Sequence, residues 1–153
     1  MPAANPPSTP SEQLQWLVDR AAISDVLVDF ARAVDEQDWD GYAANYAPDG
    51  VLAISPTIRH SGREGMAQFV GGNLGRYAGT HHISSNHAIT IDGARATTRS
   101  YLIAAHIFDA ATPYRHADGA GWYNCELRRT DEGWRLTLVT LEIRYVSGEP
   151  LLH

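Results

Sequence analysis

Several histidines and one aspartate of this sequence occupy positions in the predicted elements from which they could transfer protons. Four of the seven histidines lie in runs that alternate as β-strands do, at positions 81, 82, 87 and 106. In a regular strand, His82 shares one face with Ser84 and Asn86, whereas His81 points to the other face. His106 lies among small and apolar residues of the next predicted strand, which is typical of a pocket wall with one polar group.

Asp35 is the carboxylate whose position is hardest to explain by surface chemistry. It ends the first predicted helix and continues the face of Leu27 and Ala31, so it can point inward. A carboxylate beside a histidine holds the imidazole in one tautomer and raises its basicity. The alternative is that Asp35 only ends the helix, and spacing alone leaves both interpretations open.

A metal site and a thiol nucleophile are the other chemistries to weigh. His82, His106 and Asp35 could form a two-histidine, one-carboxylate site, but the sequence has no compact ligand motif such as HExxH. We therefore expect neither a metal nor a cofactor. The single cysteine, Cys125, lies in a predicted strand, where a packing role is favoured over catalysis. One cysteine cannot form an internal disulfide, which fits a reducing, cytoplasmic location.

The elements that must position these residues follow from hydrophobic periodicity and turn residues. Helices are predicted at 11–34, 39–46 and 62–74, and strands at 51–55, 81–91, 94–108, 122–130 and 134–145. Asp92-Gly93 and Asp131-Glu132-Gly133 predict hairpin turns. Helices followed by a strand meander predict an α+β fold, in which helices cover one side of a curved, mostly antiparallel sheet and enclose a pocket.

Length and composition limit the classes of partner. At 153 residues, we expect one domain over residues 11–153, preceded by a disordered tail at residues 1–10, which contain four prolines. A net charge of −6 argues against binding nucleic acids or anionic membranes. No run of 18 apolar residues is present, so no membrane span is expected. The expected partner is a small molecule.

Three segments together resemble a known family. They are RAAISDVLVDFARAVDEQDWDGYAANYAPDG, THHISSNHAITID and the hairpin YNCELRRTDEGWRL. In order and spacing they resemble the SnoaL-like branch of the nuclear-transport-factor-2-like superfamily, over residues 14–145. The resemblance implies a cone-shaped α+β fold, often dimeric or trimeric. Within the superfamily the chain looks most like scytalone dehydratase, hexachlorocyclohexane dehydrochlorinase and bile-acid dehydratase.

The resemblance also implies roles for particular residues. Those enzymes carry an Asp–His pair for proton abstraction, which corresponds here to Asp35 and His82. A further pocket histidine of scytalone dehydratase corresponds to His106. Two tyrosines of that enzyme are replaced at the matching places, Val34 and Ile54. Its pocket asparagine corresponds to Tyr123, or to Asn124 after a register shift. The resemblance thus implies the same proton-abstracting pair, but not the residues that act on the leaving group. It therefore does not identify the substrate.

The resulting expectation is a cofactor-independent enzyme that abstracts a proton from carbon with an Asp35–His82 dyad. A dehydratase-like lyase acting on a hydroxylated cyclic, polyketide-like or steroid-like substrate is expected first. The alternatives are an isomerase or cyclase with the same pocket, or a binding protein without turnover. The expected pocket residues are Tyr46, Ile54, Asn86, Tyr123 and Cys125. A homodimer or homotrimer is expected to use the convex sheet face, with Arg99, Tyr101 and Ile103.

Overall fold

The structure is a computed structural model that describes residues 7–151. Its elements are α1 (Pro10–Asp35), α2 (Trp39–Ala44), β1 (Tyr46–Ala53), β2 (Arg59–Ser61), α3 (Met66–Leu74), β3 (Gly79–Asp92), β4 (Arg95–Ile107), β5 (His116–Thr130) and β6 (Gly133–Gly148). The strands form one sheet in the order β2-β1-β6-β5-β4-β3, in which only β1 and β6 are parallel neighbours. The sheet is curled without closing, and the helices cover its concave side. The predicted α+β cone is confirmed.

The first helix begins slightly earlier than its sequence pattern suggested. Thr9 is the N-cap and forms a capping box with Glu12, while Pro10 occupies the first turn, where a missing N–H costs nothing. Thr9 and Pro10 therefore belong to the helix start and not to the predicted tail, whose residues 1–6 lie outside the described part of the chain. Ile23, Leu27, Phe30 and Val34 form the buried stripe that packs α1 into the sheet.

The turn after α1 connects it to α2 and then to β1. Gln37 has a φ of 56°, a left-handed conformation that reverses the chain, and Asp38 caps α2 by accepting from the Gly41 N–H. The second helix ends at Ala44, and Tyr46 already belongs to β1. Residues 48–50 have a Pro-Asp-Gly sequence that is typical of turns. In the structure they form an irregularity within β1, between the pairs Tyr46–Leu136 and Val51–Leu138, where proline's missing donor is tolerated.

A bulge in β3 changes which side chains face inward. The register with β4 shifts between Ser85 and Ala88, and Asn86 has a φ of 54°. Before the bulge, His82 lies on the concave side; after it, His87 and Ile89 do. The regular alternation assumed from the sequence is therefore wrong beyond Ser85, and Asn86 is exposed to solvent.

The β5–β6 hairpin is attached to α1 by a polar cluster. Arg129 donates through both terminal nitrogens to the Asp19 carboxylate, at 2.7 and 2.5 Å. The Trp134 indole N–H donates to the same carboxylate at 3.1 Å. This contact joins α1 to the turn end of the β5–β6 hairpin. β5 itself starts at His116, inside the segment predicted as loop, because His116 to Gly121 pair with β4 on one side.

No helix among residues 7–151 is both long and apolar enough to cross a bilayer.

Candidate functional site

The concave side of the sheet encloses a cavity of about 420 Å³. Its wall is mainly apolar and aromatic, and its size is that of a small-molecule site. The polar side chains on the wall are Tyr42, Asn73, Arg76, Tyr77, His82, His106 and Tyr123. Ile58, Arg76, Val146 and Leu151 line the cavity and are also exposed, so the mouth lies between the β1–β2 loop, the end of α3 and the end of β6.

His82 and Asp35 meet at the edge of this cavity. The end of α1 places Asp35 against the start of β3, where His82 Nδ1 lies 2.8 Å from Asp35 Oδ1. The backbone N–H of His82 donates to Asp35 Oδ2 at 2.8 Å, and the Thr80 hydroxyl donates to Oδ1 at 2.9 Å. The His82 side chain is only 6% exposed, compared with 23% for Asp35. The carboxylate is thus fixed by three donors from one strand.

The charge state of Asp35 follows from these contacts. Burial alone would raise the pKa of its carboxyl, but the hydrogen bonds from His82 and Thr80 outweigh burial and hold the pKa below its usual value. Asp35 is therefore a carboxylate that only accepts, and His82 Nδ1 must carry the hydrogen between them. His82 lines the cavity, and no described residue hydrogen bonds to its Nε2; in a neutral ring with the hydrogen on Nδ1, that nitrogen is an acceptor. Such an arrangement is chemically able to act as an oriented general base.

His106 stands edge-on to His82, with ring centroids 5.5 Å apart. Its Nδ1 lies 3.1 Å from the Ala117 carbonyl oxygen. Because a carbonyl only accepts, Nδ1 carries the hydrogen and Nε2 is an acceptor. Burial lowers the pKa of His106, so the ring is neutral at pH 7. Tyr77 packs against it at 5.0 Å between centroids. His106 can thus accept a hydrogen bond from a ligand hydroxyl, but in this form it cannot protonate one.

Tyr123 supplies the donor that His106 lacks. Its side chain is buried on the cavity wall, and no described group hydrogen bonds to its hydroxyl. Burial raises its pKa well above the usual tyrosine value, as does the negative charge of Asp35 to a smaller degree. The hydroxyl therefore stays protonated and is available to an oxygen of a ligand. Tyr123 faces the cavity and Asn124 does not, which answers the register question left open by the sequence.

Not every predicted pocket residue reaches the cavity. The structure places Ile54 and Tyr123 on its wall, whereas Tyr46, Asn86 and Cys125 do not line it. Tyr46 lies behind Tyr42, and their hydroxyls are 3.0 Å apart. Asn86 is turned out by the β3 bulge. Burial raises the pKa of the Cys125 thiol to about 12, as expected for a packing residue.

Four lining aromatics were not anticipated from the sequence as pocket residues. Phe30, Tyr42, Phe69 and Tyr77 all line the cavity. Phe30 lies four residues after the inward-facing Val26 on the helix stripe, so its helical spacing was a usable signal. Tyr77 follows α3 in a segment without periodicity, and nothing in the sequence pattern indicated its contact with His106.

Within residues 7–151, no group of three or more histidine, cysteine or acidic side chains is arranged to hold an ion. Asp35 and His106 contact different parts of the His82 ring: the carboxylate is bonded to Nδ1, and His106 packs edge-on.

Residues 15–140 match the model of the SnoaL-like domain family. This chain belongs to that family. A curated relative is the uncharacterized protein Rv2910c of Mycobacterium tuberculosis, which is 26% identical over 119 residues and covers 77% of this chain and 80% of its own length. The sequence resemblance to the SnoaL-like branch is thus confirmed.

Solved structures of similar fold include two named after eliminating enzymes. A scytalone dehydratase-like protein from Novosphingobium aromaticivorans superimposes with a TM-score of 0.79 at 22% identity, covering 89% of this chain and 91% of its own. Hexachlorocyclohexane dehydrochlorinase LinA-type3 from Novosphingobium barchaimii gives a TM-score of 0.76 at 19% identity, covering 92% and 96%. At these identities the likeness shows the cone fold alone.

Proposed function

We propose that this SnoaL-like protein is a cofactor-independent lyase that removes a proton from carbon next to an activating group. The observation that carries the proposal is the Asp35–His82 pair at the wall of a largely apolar cavity. A pocket that only binds ligands gains nothing from fixing a carboxylate with three hydrogen bonds behind an imidazole. An activated base contributes on the order of 10²–10⁴-fold in rate.

The proposed reaction is an elimination of water. His82 Nε2 takes the proton, the C–H electron pair forms the new C=C bond, and the C–O bond breaks so that its pair leaves with the hydroxyl oxygen. His82, now an imidazolium stabilised by Asp35, returns the proton to that oxygen and releases water. His106 Nε2 accepts a hydrogen bond from the substrate hydroxyl and orients it. The Tyr123 hydroxyl donates to the carbonyl oxygen on which negative charge develops.

The same site supports isomerisation as a second candidate. The specific observation is the Tyr123 hydroxyl, which has no partner among the described residues and can stabilise an enolate oxygen. If the substrate carries no leaving group, the imidazolium returns its proton to another carbon and the double bond migrates. The two reactions share the base and differ in the fate of the enolate.

Cyclic β-hydroxy ketones are suitable first substrates, because loss of water yields an enone whose ultraviolet absorbance can be followed. We expect turnover by the wild-type protein and loss of nearly all of it in His82→Ala. The chain contains a matched control, His116 and Asp118, an Asp–His pair with 2.8 Å between His116 Nδ1 and Asp118 Oδ1 that does not line the cavity. His116→Ala should retain the activity. Equal activity in His82→Ala and the wild type would refute the proposal.

A further inference from the structure

The mouth of the cavity carries the only charged side chain on its described wall. Among residues 7–151, no aspartate or glutamate lines the cavity, and the single arginine or lysine there is Arg76, just beyond the end of α3. The chain as a whole is acidic, with a net charge of −6. The cavity mouth therefore differs in sign from the average surface, and a local positive charge attracts anionic ligands.

Arg76 is held in place but not neutralised. Its Nε donates to the Asn73 carbonyl oxygen at 2.9 Å, which fixes the guanidinium against the end of α3. Among residues 7–151, no carboxylate forms an ion pair with Arg76, whereas eight other arginines are paired in this way. Both terminal nitrogens are thus left with their N–H donors unused by the described residues.

Two parallel N–H donors on a planar cation match the two oxygens of a carboxylate. A single guanidinium suits a monoanion better than a phosphate dianion, because no second arginine or lysine among the described residues lines the cavity. Arg76 directly precedes Tyr77, whose ring packs on His106 at 5.0 Å. An anionic group bound to Arg76 at the mouth would therefore lie next to Tyr77, the residue that packs on His106 at the proposed reacting end of the ligand.

We propose that the cavity binds a cyclic carboxylic acid, with the apolar ring inside and the carboxylate on Arg76 at the mouth. This inference rests on the proposed function for the reacting end of the ligand and adds its substrate class. The substrate would then be a hydroxylated, carboxylate-bearing ring compound, and the product an unsaturated acid. The rival explanation is that Arg76 only caps the last turn of α3.

Binding of a matched pair of probes separates these explanations. 2-Naphthoate carries the carboxylate, and 2-naphthamide has nearly the same shape without charge. By isothermal titration calorimetry, we expect the wild-type protein to bind the acid about tenfold more tightly than the amide. Arg76→Gln should abolish this preference, so that the two probes bind about equally. Arg76→Lys keeps the positive charge without the two parallel N–H donors and should keep part of the preference.

Arg95→Gln is the control for loss of one positive charge. Arg95 opens β4, does not line the cavity and has no ion pair among the described residues, so its variant should keep the tenfold preference. The proposal is overturned by equal affinity for the two probes, by an unchanged preference in Arg76→Gln, by the same loss in Arg95→Gln, or by no binding of the acid at millimolar concentration. His82→Ala should lose turnover but still bind the acid more tightly than the amide. The two proposals therefore fail separately: equal binding of the probes would leave the Asp35–His82 proposal standing, and retained turnover in His82→Ala would leave the Arg76 proposal standing.

Discussion

At the residue scale, the neutral state of His106 decides what it can do. Its Nδ1–H is used on the Ala117 carbonyl oxygen, and burial lowers its pKa. The ring therefore offers a ligand hydroxyl an acceptor at Nε2 and no proton. In the proposed elimination, the acid that protonates the leaving hydroxide is the His82 imidazolium, so one histidine is both base and acid.

The tautomer and pKa of His106 can be measured directly. Nitrogen-15 NMR of the imidazole should show the neutral Nδ1–H form, titrating below the ordinary histidine midpoint of about 6.5. His106→Gln assigns the signal. A midpoint at or above that value, or an Nε2–H tautomer, would contradict the role assigned to this residue.

At the scale of elements, the cone depends on the contact between α1 and the β5–β6 hairpin. Asp19 is buried and accepts hydrogen bonds from both Arg129 and Trp134. The hydrogen bond from Arg129 is the main cause that holds the pKa of Asp19 below 3.8, against the opposing effect of burial. The carboxylate therefore stabilises the fold, fully above pH 3.8, and this contribution is lost as the pH falls through the lower folded pKa.

Asp19→Asn should lower the free energy of unfolding at pH 7 by about 2 kcal/mol, since charged hydrogen bonds to a buried acceptor are lost. Urea unfolding at pH 7 and at pH 3 measures the effect, and the difference between variant and wild type should shrink at the lower pH. Asp49→Asn breaks the exposed pair with Arg128 and is the matched control, for which we expect little change. A loss as large for Asp49→Asn as for Asp19→Asn would contradict this account.

The elements that the sequence predicted depend on local patterns, whereas the features that it did not predict depend on contacts between residues far apart in sequence. The helix stripe around Leu27 and the turns at Asp92-Gly93 and Gly133 are local patterns, and the structure contains the corresponding elements. The β3 bulge at Asn86 is set by pairing with β4, so regular alternation failed to place Asn86 and His87. Asp35 was ambiguous from spacing alone because its three donors lie 45 to 47 residues away in sequence.

At the scale of the whole molecule, the convex sheet face exposes large apolar and aromatic side chains to water. Tyr101 and Ile103 are 51% and 46% exposed, and Tyr101 contacts the Trp122 ring edge-on at 6.0 Å. Arg99 and Arg144 stack on that same ring. Exposed aromatic and arginine side chains in one patch are typical of protein interfaces. Association through this face stays a prediction.

Light scattering on variants tests the association. We predict a homodimer or homotrimer for the wild-type protein at tens of micromolar, and a monomer for the double variant Tyr101→Glu, Ile103→Glu, because two buried charges cannot be accommodated. Tyr114→Glu adds a charge at another exposed aromatic, in the loop between β4 and β5, and should leave the oligomer intact. A monomeric wild type, or dissociation by Tyr114→Glu alone, would show that this face is not the interface.

The central claim is that Asp35 and His82 act as one unit, and a double-mutant cycle on turnover tests it most directly. His82→Ala should remove nearly all activity, and Asp35→Asn should lower kcat sharply, on the order of 10²-fold or more, because an amide can favour the wrong tautomer and cannot stabilise the imidazolium. The double variant should be scarcely slower than His82→Ala alone, since groups that act together are not additive. Circular dichroism and probe binding should show that all three variants remain folded. Activity within about tenfold of wild type in His82→Ala, or effects of the two substitutions that multiply fully in the double variant, would contradict the account.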